Sequence, residues 1–245
     1  MSVRVLPVLL LVALIAGGCG SILSPKYEYD EELYVSLDGS GILYLHASVP
    51  ALVALRNAPF DPDPRARLDR NGVREFFASP VTEVVNVSMS RRDKRRYVHV
   101  RMEVPDVRRL GEAPAFAWSR YALTDTENVT VYRQDVGPAA GRQVRDVGWS
   151  GQELVAFRLH LPSRVPFHNA PSRAIERGNI IRWEQPLTAR LKGEPLTLEV
   201  HMEQQSILFQ TLTLYALTMV AALAAMAAAI WWVMRRKGAP NVAAS

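Results

Sequence analysis

At 245 residues the chain has room for one medium domain with a real core, flanked by two apolar ends. Its hydrophobic fraction is 49% while its mean hydropathy is near zero, so the apolar residues must be patterned or segregated. A pI of about 9.5 suggests a polynucleotide partner, but Lys26 to Glu203 holds all 24 acidic residues and all but four of the 29 basic ones. The excess charge lies at Arg4 and at Arg235-Arg236-Lys237, where it bears on membrane orientation and argues against nucleic-acid binding.

In chain order, residues 1–18 read as an export signal. Arg4 supplies the positive start, Leu6 to Ala16 the apolar stretch and Ala16-Gly17-Gly18 the small residues a signal peptidase needs. Cys19 is the lone cysteine, so no intramolecular disulfide and no cysteine-based metal site can form. Its position resembles a bacterial lipobox, in which the thiol is acylated and becomes the mature N-terminus. The plainer alternative is a cleaved signal peptide with an incidental cysteine. Residues 19–26 then form a lipidated N-terminus and a short linker.

From 27 to 205 the dominant signal is period-two alternation, which predicts strands with one buried face. Leu33, Val35 and Leu37 alternate with polar residues, and the Gly39-Ser40-Gly41 turn leads into 42–49 as a first hairpin. Residues 50–57 predict a short helix begun by Pro50. The proline-rich stretch 57–67 predicts a loop. Leu68, Val73, Phe76 and Phe77 mark one side of a second helix ending near Pro80. Val85, Val87 and Met89 alternate in the next strand, and Val98, Val100, Met102 and Val104 in its partner. A single helical turn fits 105–110, and strands fit 116–123, 128–136 and 153–161. A last pair spans 179–186 and 195–203, where Leu196, Leu198, Val200 and Met202 face one way. Residues 137–150 and 163–178 lack periodicity and are expected to be exposed loops. The fold class is α+β: an antiparallel β-sheet domain with two or three short helices, plus one C-terminal transmembrane helix.

Little in this domain carries recognisable chemistry. His46, His99, His160, His168 and His201 make no metal-type pattern, and a solvated histidine is the default for the outward phase of a strand. Gly148-Trp149-Ser150-Gly151 resembles a hydrolase elbow with the second glycine one position early. Asn86-Val87-Ser88 and Asn128-Val129-Thr130 are chance glycosylation matches in a bacterial chain. No catalytic residue, metal or cofactor is expected. The sharpest charged feature is the turn Arg91, Arg92, Asp93, Lys94, Arg95 and Arg96. Either its basic residues contact anionic lipid headgroups, each contributing ~1 kcal/mol near the surface, or it is a solvated hairpin turn.

Gln204 to Met234 is free of charge, and its apolar core at ~1.5 Å per residue outruns a ~30 Å hydrocarbon layer. The expected transmembrane helix is 206–234, with Trp231 and Trp232 as an interfacial belt and a cytoplasmic basic tail at 235–245. Arg235, Arg236 and Lys237 place the C-terminus in the cytoplasm and the domain outside, in agreement with the export signal. Ala221, Ala225 and Ala229 recur at the spacing that lets helices pair, or are alanine-rich filler.

A wider pattern spans Leu161-Pro162-Ser163-Arg164-Val165, His168-Asn169-Ala170, Gly178-Asn179-Ile180-Ile181-Arg182-Trp183 and Pro186-Leu187. With the final strand, apolar helix and basic tail, it resembles the LppM-type family of bacterial lipoproteins. The resemblance implies a lipobox, an extracytoplasmic α/β domain, an envelope role and lipid or glycolipid contact, and it brings no catalytic residue with it. The expected function is a non-enzymatic, extracytoplasmic module of the cytoplasmic membrane that binds a lipid, a glycolipid or a membrane-protein partner. The alternative is an assembly subunit acting through its transmembrane helix, including helix-mediated self-association.

Overall fold

The structure, a computed structural model, describes residues 26–205 and 207–237. Cys19, Arg4 and the export signal lie outside the described residues. Among the described residues, ten strands form two sheets. The larger runs in the order β3 (Glu83–Arg92), β4 (Arg95–Val104), β2 (Gly41–Ser48), β1 (Tyr27–Val35), β7 (Leu154–His160), β9 (Ile180–Pro186). The smaller runs β5 (Ser119–Asp125), β6 (Val129–Val136), β10 (Leu196–Glu203), β8 (Phe167–His168). Every strand pair is antiparallel except β1 and β7.

Period-two patterning decides which faces meet. Tyr29, Leu33 and Val35 of β1, Leu43 and Leu45 of β2, and Val98, Val100 and Met102 of β4 are buried on one side of the large sheet. They face Tyr121, Tyr132, Leu198, Val200 and Met202 of the small sheet in one continuous core. Helix α1 (Val49–Arg56) is buried along all eight residues, capped by the Ser48 hydroxyl and ended by Asn57 at positive φ. Helix α2 (Arg70–Phe77) starts on the Asp69 side chain and buries Val73 and Phe77. A 3-10 segment, Val107–Glu112, stands where a single turn is expected, and α3 (Leu187–Leu191) is a short addition.

Several local expectations change. A bulge between Val84 and Asn86 breaks the alternation in β3, so Val84 and Val87 are buried while Val85 is exposed. Met89 keeps the inward phase of Val87, opposite Val98, but faces the open cavity beside the 57–67 loop. The basic run is mostly strand. The turn itself is Asp93 and Lys94, both at positive φ, as a two-residue hairpin connection requires. The strands at 179–186 and 195–203 do not pair: β9 joins β7 and β10 joins β6. Residues 137–150 are irregular but not simply exposed. Ala140 and Arg142 donate backbone hydrogen bonds to Leu55 and Val53 of α1, at 3.0 and 3.2 Å, and Ala139, Val144 and Trp149 pack on the core.

The Asn169 side chain ties the two sheets together. Its amide accepts from the Trp183 indole and the Glu199 N–H, both at 2.9 Å, and donates to the Thr197 carbonyl at 2.9 Å. The stretch 161–183 is therefore structural in what it does, with Ile181 and Trp183 buried on one strand face.

The domain has two distinct ends. At the entry end β1 begins at Tyr27, beside the β3–β4 turn, where Arg92 donates to the Tyr27 carbonyl at 2.8 Å. At the exit end the β1–β2 turn meets β5 through Gly39 and Leu123, and Gln204 donates to the Thr126 carbonyl as the chain leaves β10. Nine strand residues, ~30 Å at ~3.3 Å each, separate the ends. Beyond the exit, α4 (Ile207–Lys237) holds one stretch, Thr211–Arg235, long and apolar enough to cross a membrane.

Candidate functional site

The six-residue basic run divides in two. Arg95 and Arg96 are buried. Arg95 pairs with the fully buried Glu28 at 2.9 Å and donates to the Val147 and Gly148 carbonyls. Arg96 donates to the carbonyls of Asp61 and Asp63, pinning the proline-rich loop to β4. Arg91, Arg92 and Lys94 remain exposed, Arg92 lying over the Tyr97 ring at 4.6 Å. Among the expected headgroup contacts, then, Arg91 and Lys94 are exposed, Arg92 is exposed but already donates to the Tyr27 carbonyl, and Arg95 and Arg96 have internal work.

Between this hairpin and the loop is a cavity of about 530 Å³. Arg65 and Arg67 come from the loop, Arg91 from β3 and Arg96 from β4, with Leu68 and Met89 as apolar walls. No acidic residue lines it. Desolvation and then Arg91 pull the Arg96 pKa down, against the attraction of Asp61 and Asp63. A second cavity of about 570 Å³ beside Trp118 balances Arg120 against Asp135.

A polar cluster sits at the centre of the core. Glu31 and Arg56 pair at 3.2 Å with both side chains 2% exposed. Glu31 also accepts from Tyr29 at 2.6 Å, Tyr121 at 3.1 Å and Gln134 at 3.0 Å. The Arg56 guanidinium lies 3.4 Å from the Trp118 ring centre, and the fully buried Arg190 sits 5.8 Å from the same ring. Two sequence signals mark this cluster: Glu31 shares the inward phase of Leu33 and Val35, and Arg56 ends an otherwise apolar helix.

The outer face of the large sheet brings histidines together that the sequence keeps far apart. His46 and His99 are register partners, with Nδ1 atoms 2.8 Å apart, and His99 Nε2 meets the Ser90 hydroxyl at 2.7 Å. His160 approaches Glu32 at 2.5 Å and stacks on Tyr34. Among the described residues no group of three or more histidine, cysteine or acidic side chains is arranged to hold a metal. The loop at Ser150 is a carboxylate cradle. Ser150 and Gly151 amides donate to Glu153, each at 2.8 Å, and the Ser150 hydroxyl donates to the same carboxylate at 3.1 Å, so the serine is spent on its neighbour.

The histidine pair carries a pH prediction. Burial and then His99 lower the His46 pKa, while burial and then Arg92 lower that of His99. Below the ordinary histidine value of ~6.5 the unfolded chain binds more protons than the folded one, so the pair's stabilisation is lost as pH falls. Asp30 works oppositely. Burial, opposed by Arg158, raises it to about 6, so the folded state takes its proton first and gains as pH falls through that range. Imidazole NMR titration is expected to give midpoints below 6.5 for both His46 and His99; a midpoint above 7 for either refutes the pairing.

No family model matches the chain, and no curated protein does. Among solved structures it is similar to the NMR structure of the folded domain of the Mycobacterium tuberculosis LppM protein. That likeness has 14% identity and a TM-score of 0.40, covering 78% of this chain and 99% of that one.

Proposed function

We propose that this protein is a non-enzymatic module held at the outer leaflet of the cytoplasmic membrane, where its domain binds a lipid-type ligand or a membrane neighbour. The observation that carries the reading is the short exit: β10 ends at Glu203 and α4 begins at Ile207, so a membrane-spanning α4 leaves the domain almost no slack. The tail at Arg235, Arg236 and Lys237 favours a cytoplasmic C-terminus. Acylation of Cys19 adds a second tether, Gly20 to Lys26, of at most ~25 Å. That is shorter than the ~30 Å between the domain's ends, so with both tethers engaged the strands cannot stand upright and lean at least ~30° from the membrane normal. Tethering also raises the effective concentration of the domain toward lipids and membrane proteins.

Fractionation of native membranes tests this. The Cys19→Ala chain is expected to stay in the membrane pellet after alkaline wash, held by α4. The same chain ending at Gln205, exported on a signal sequence whose cleavage does not need Cys19, is expected in the soluble fraction. Release of the Cys19→Ala protein with α4 intact would overturn the assignment of α4 as an anchor.

A further inference from the structure

We propose that the arginine-lined cavity beside the β3–β4 hairpin is a binding site for a phosphate group. Its lining brings four guanidinium groups, from Arg65, Arg67, Arg91 and Arg96, to one space with no carboxylate among the lining residues. Like charges gathered this closely repel unless an anion sits among them. Three of the four extend from exposed positions, and water alone could solvate those.

Arg96 is different. It is 6% exposed, and while one terminal nitrogen holds the loop carbonyls of Asp61 and Asp63, Nε and Nη1 have no hydrogen-bond partner. A buried guanidinium with unsatisfied donors is costly, and a small side-chain shift that opens these atoms, now closed to solvent, to an acceptor in the cavity offsets that cost. The side chains of Arg65, Arg67 and Arg91 likewise make no hydrogen bond or ion pair to any described residue.

The chemistry selects the ligand. A guanidinium presents a planar fork of donors that matches the oxygens of a phosphate, often two at a time. A phosphate monoester carries close to two negative charges at neutral pH and three acceptor oxygens, enough to engage Arg96 from below and the exposed arginines from the rim. At about 530 Å³ the cavity has the size of a small-molecule site and room for more than the phosphate. Leu68 and Met89 make one wall apolar, which suits a phosphate attached to an apolar body. The source is therefore either a lipid headgroup or a soluble phosphate. The lipid alternative rests on the membrane placement proposed above; the phosphate chemistry does not.

The test uses the full chain in neutral detergent, titrated with inorganic phosphate and, separately, with short-chain phosphatidic acid, and read by native mass spectrometry. One phosphate-bearing molecule per chain is expected, with the two probes competing. The Arg67→Gln and Arg91→Gln changes fall at exposed positions and should each weaken binding about tenfold, and about a hundredfold together. Arg177→Gln, on a remote exposed loop, should change nothing. Arg96→Gln also loosens the loop, so it is scored only if its unfolding transition matches the parent. Phosphatidic acid binding at least tenfold tighter than inorganic phosphate identifies a lipid ligand; equal affinity identifies a soluble one. Absence of binding by both probes, or equal binding by the Arg67→Gln/Arg91→Gln chain, overturns the site. Neither result bears on the fractionation experiment, so failure here and failure of the anchor are read separately.

Discussion

Replacing Glu31 with leucine is expected to lower the unfolding free energy by about 3–5 kcal/mol, measured by denaturant titration. The substitution leaves Arg56 buried without its acid and removes the shared acceptor of Tyr29, Tyr121 and Gln134. Desolvation and then the charge of Arg56 already pull the Arg190 pKa down. Losing Glu31 thus leaves two guanidinium groups around Trp118 with the acid between the sheets gone. The double variant Glu31→Leu/Arg56→Met separates pair from packing. If the ion pair is the cause, its loss should fall short of the sum of the single losses by at least ~2 kcal/mol. Additive losses would show that Glu31 and Arg56 act independently.

The second large effect is at Gly141. A Cβ there would overlap the backbone carbonyls of Val53 and Ala54, which belong to α1 and cannot yield as a side chain can. Gly141→Ala must therefore lift residues 139–144 off the helix, losing the hydrogen bonds from Ala140 and Arg142 to Leu55 and Val53. It also disturbs the Arg142 guanidinium that holds the carbonyls of Ala58 and Phe60. A loss of about 3 kcal/mol is expected from the overlap and the broken bonds together. Gly72→Ala is the contrast. Its Cβ would meet only the Asp69 carboxylate at 3.8 Å, inside a helix where alanine is favoured, so it should be neutral or stabilising by up to ~1 kcal/mol. If both variants unfold at the same denaturant concentration, the close approach at Gly141 is not what holds the segment down.

What the sequence discloses here depends on the range of the interaction. Alternation in Leu33, Val35, Val98, Val100 and Met102 is local, and those residues lie in the core as the pattern requires. The uncharged run from Gln204 is local too, and α4 follows it. The bulge at Val85 is set by pairing with β4 and leaves no mark on composition, so the alternation misplaces Val85. Strands β9 and β10 are neighbours in sequence but join different sheets because α3 turns the chain between them. The cavity was half legible. The Arg91–Arg96 run announces charge, but not that Arg95 and Arg96 turn inward, nor that Arg65 and Arg67 arrive from a loop more than twenty residues earlier. Similarly, His46 and His99 meet only through the register of β2 with β4.

The separation of the entry and exit ends has a mechanical meaning. Tension applied between Tyr27 and Glu203 pulls roughly along the strands, outward at each end. Strand β1 is flanked on both sides, by β2 antiparallel and β7 parallel, so it cannot be peeled away one hydrogen bond at a time. The load falls on both ladders in shear, and their bonds must give way together. Under such tension the domain resists through its central strand, the one held along the line of pull by two ladders at once.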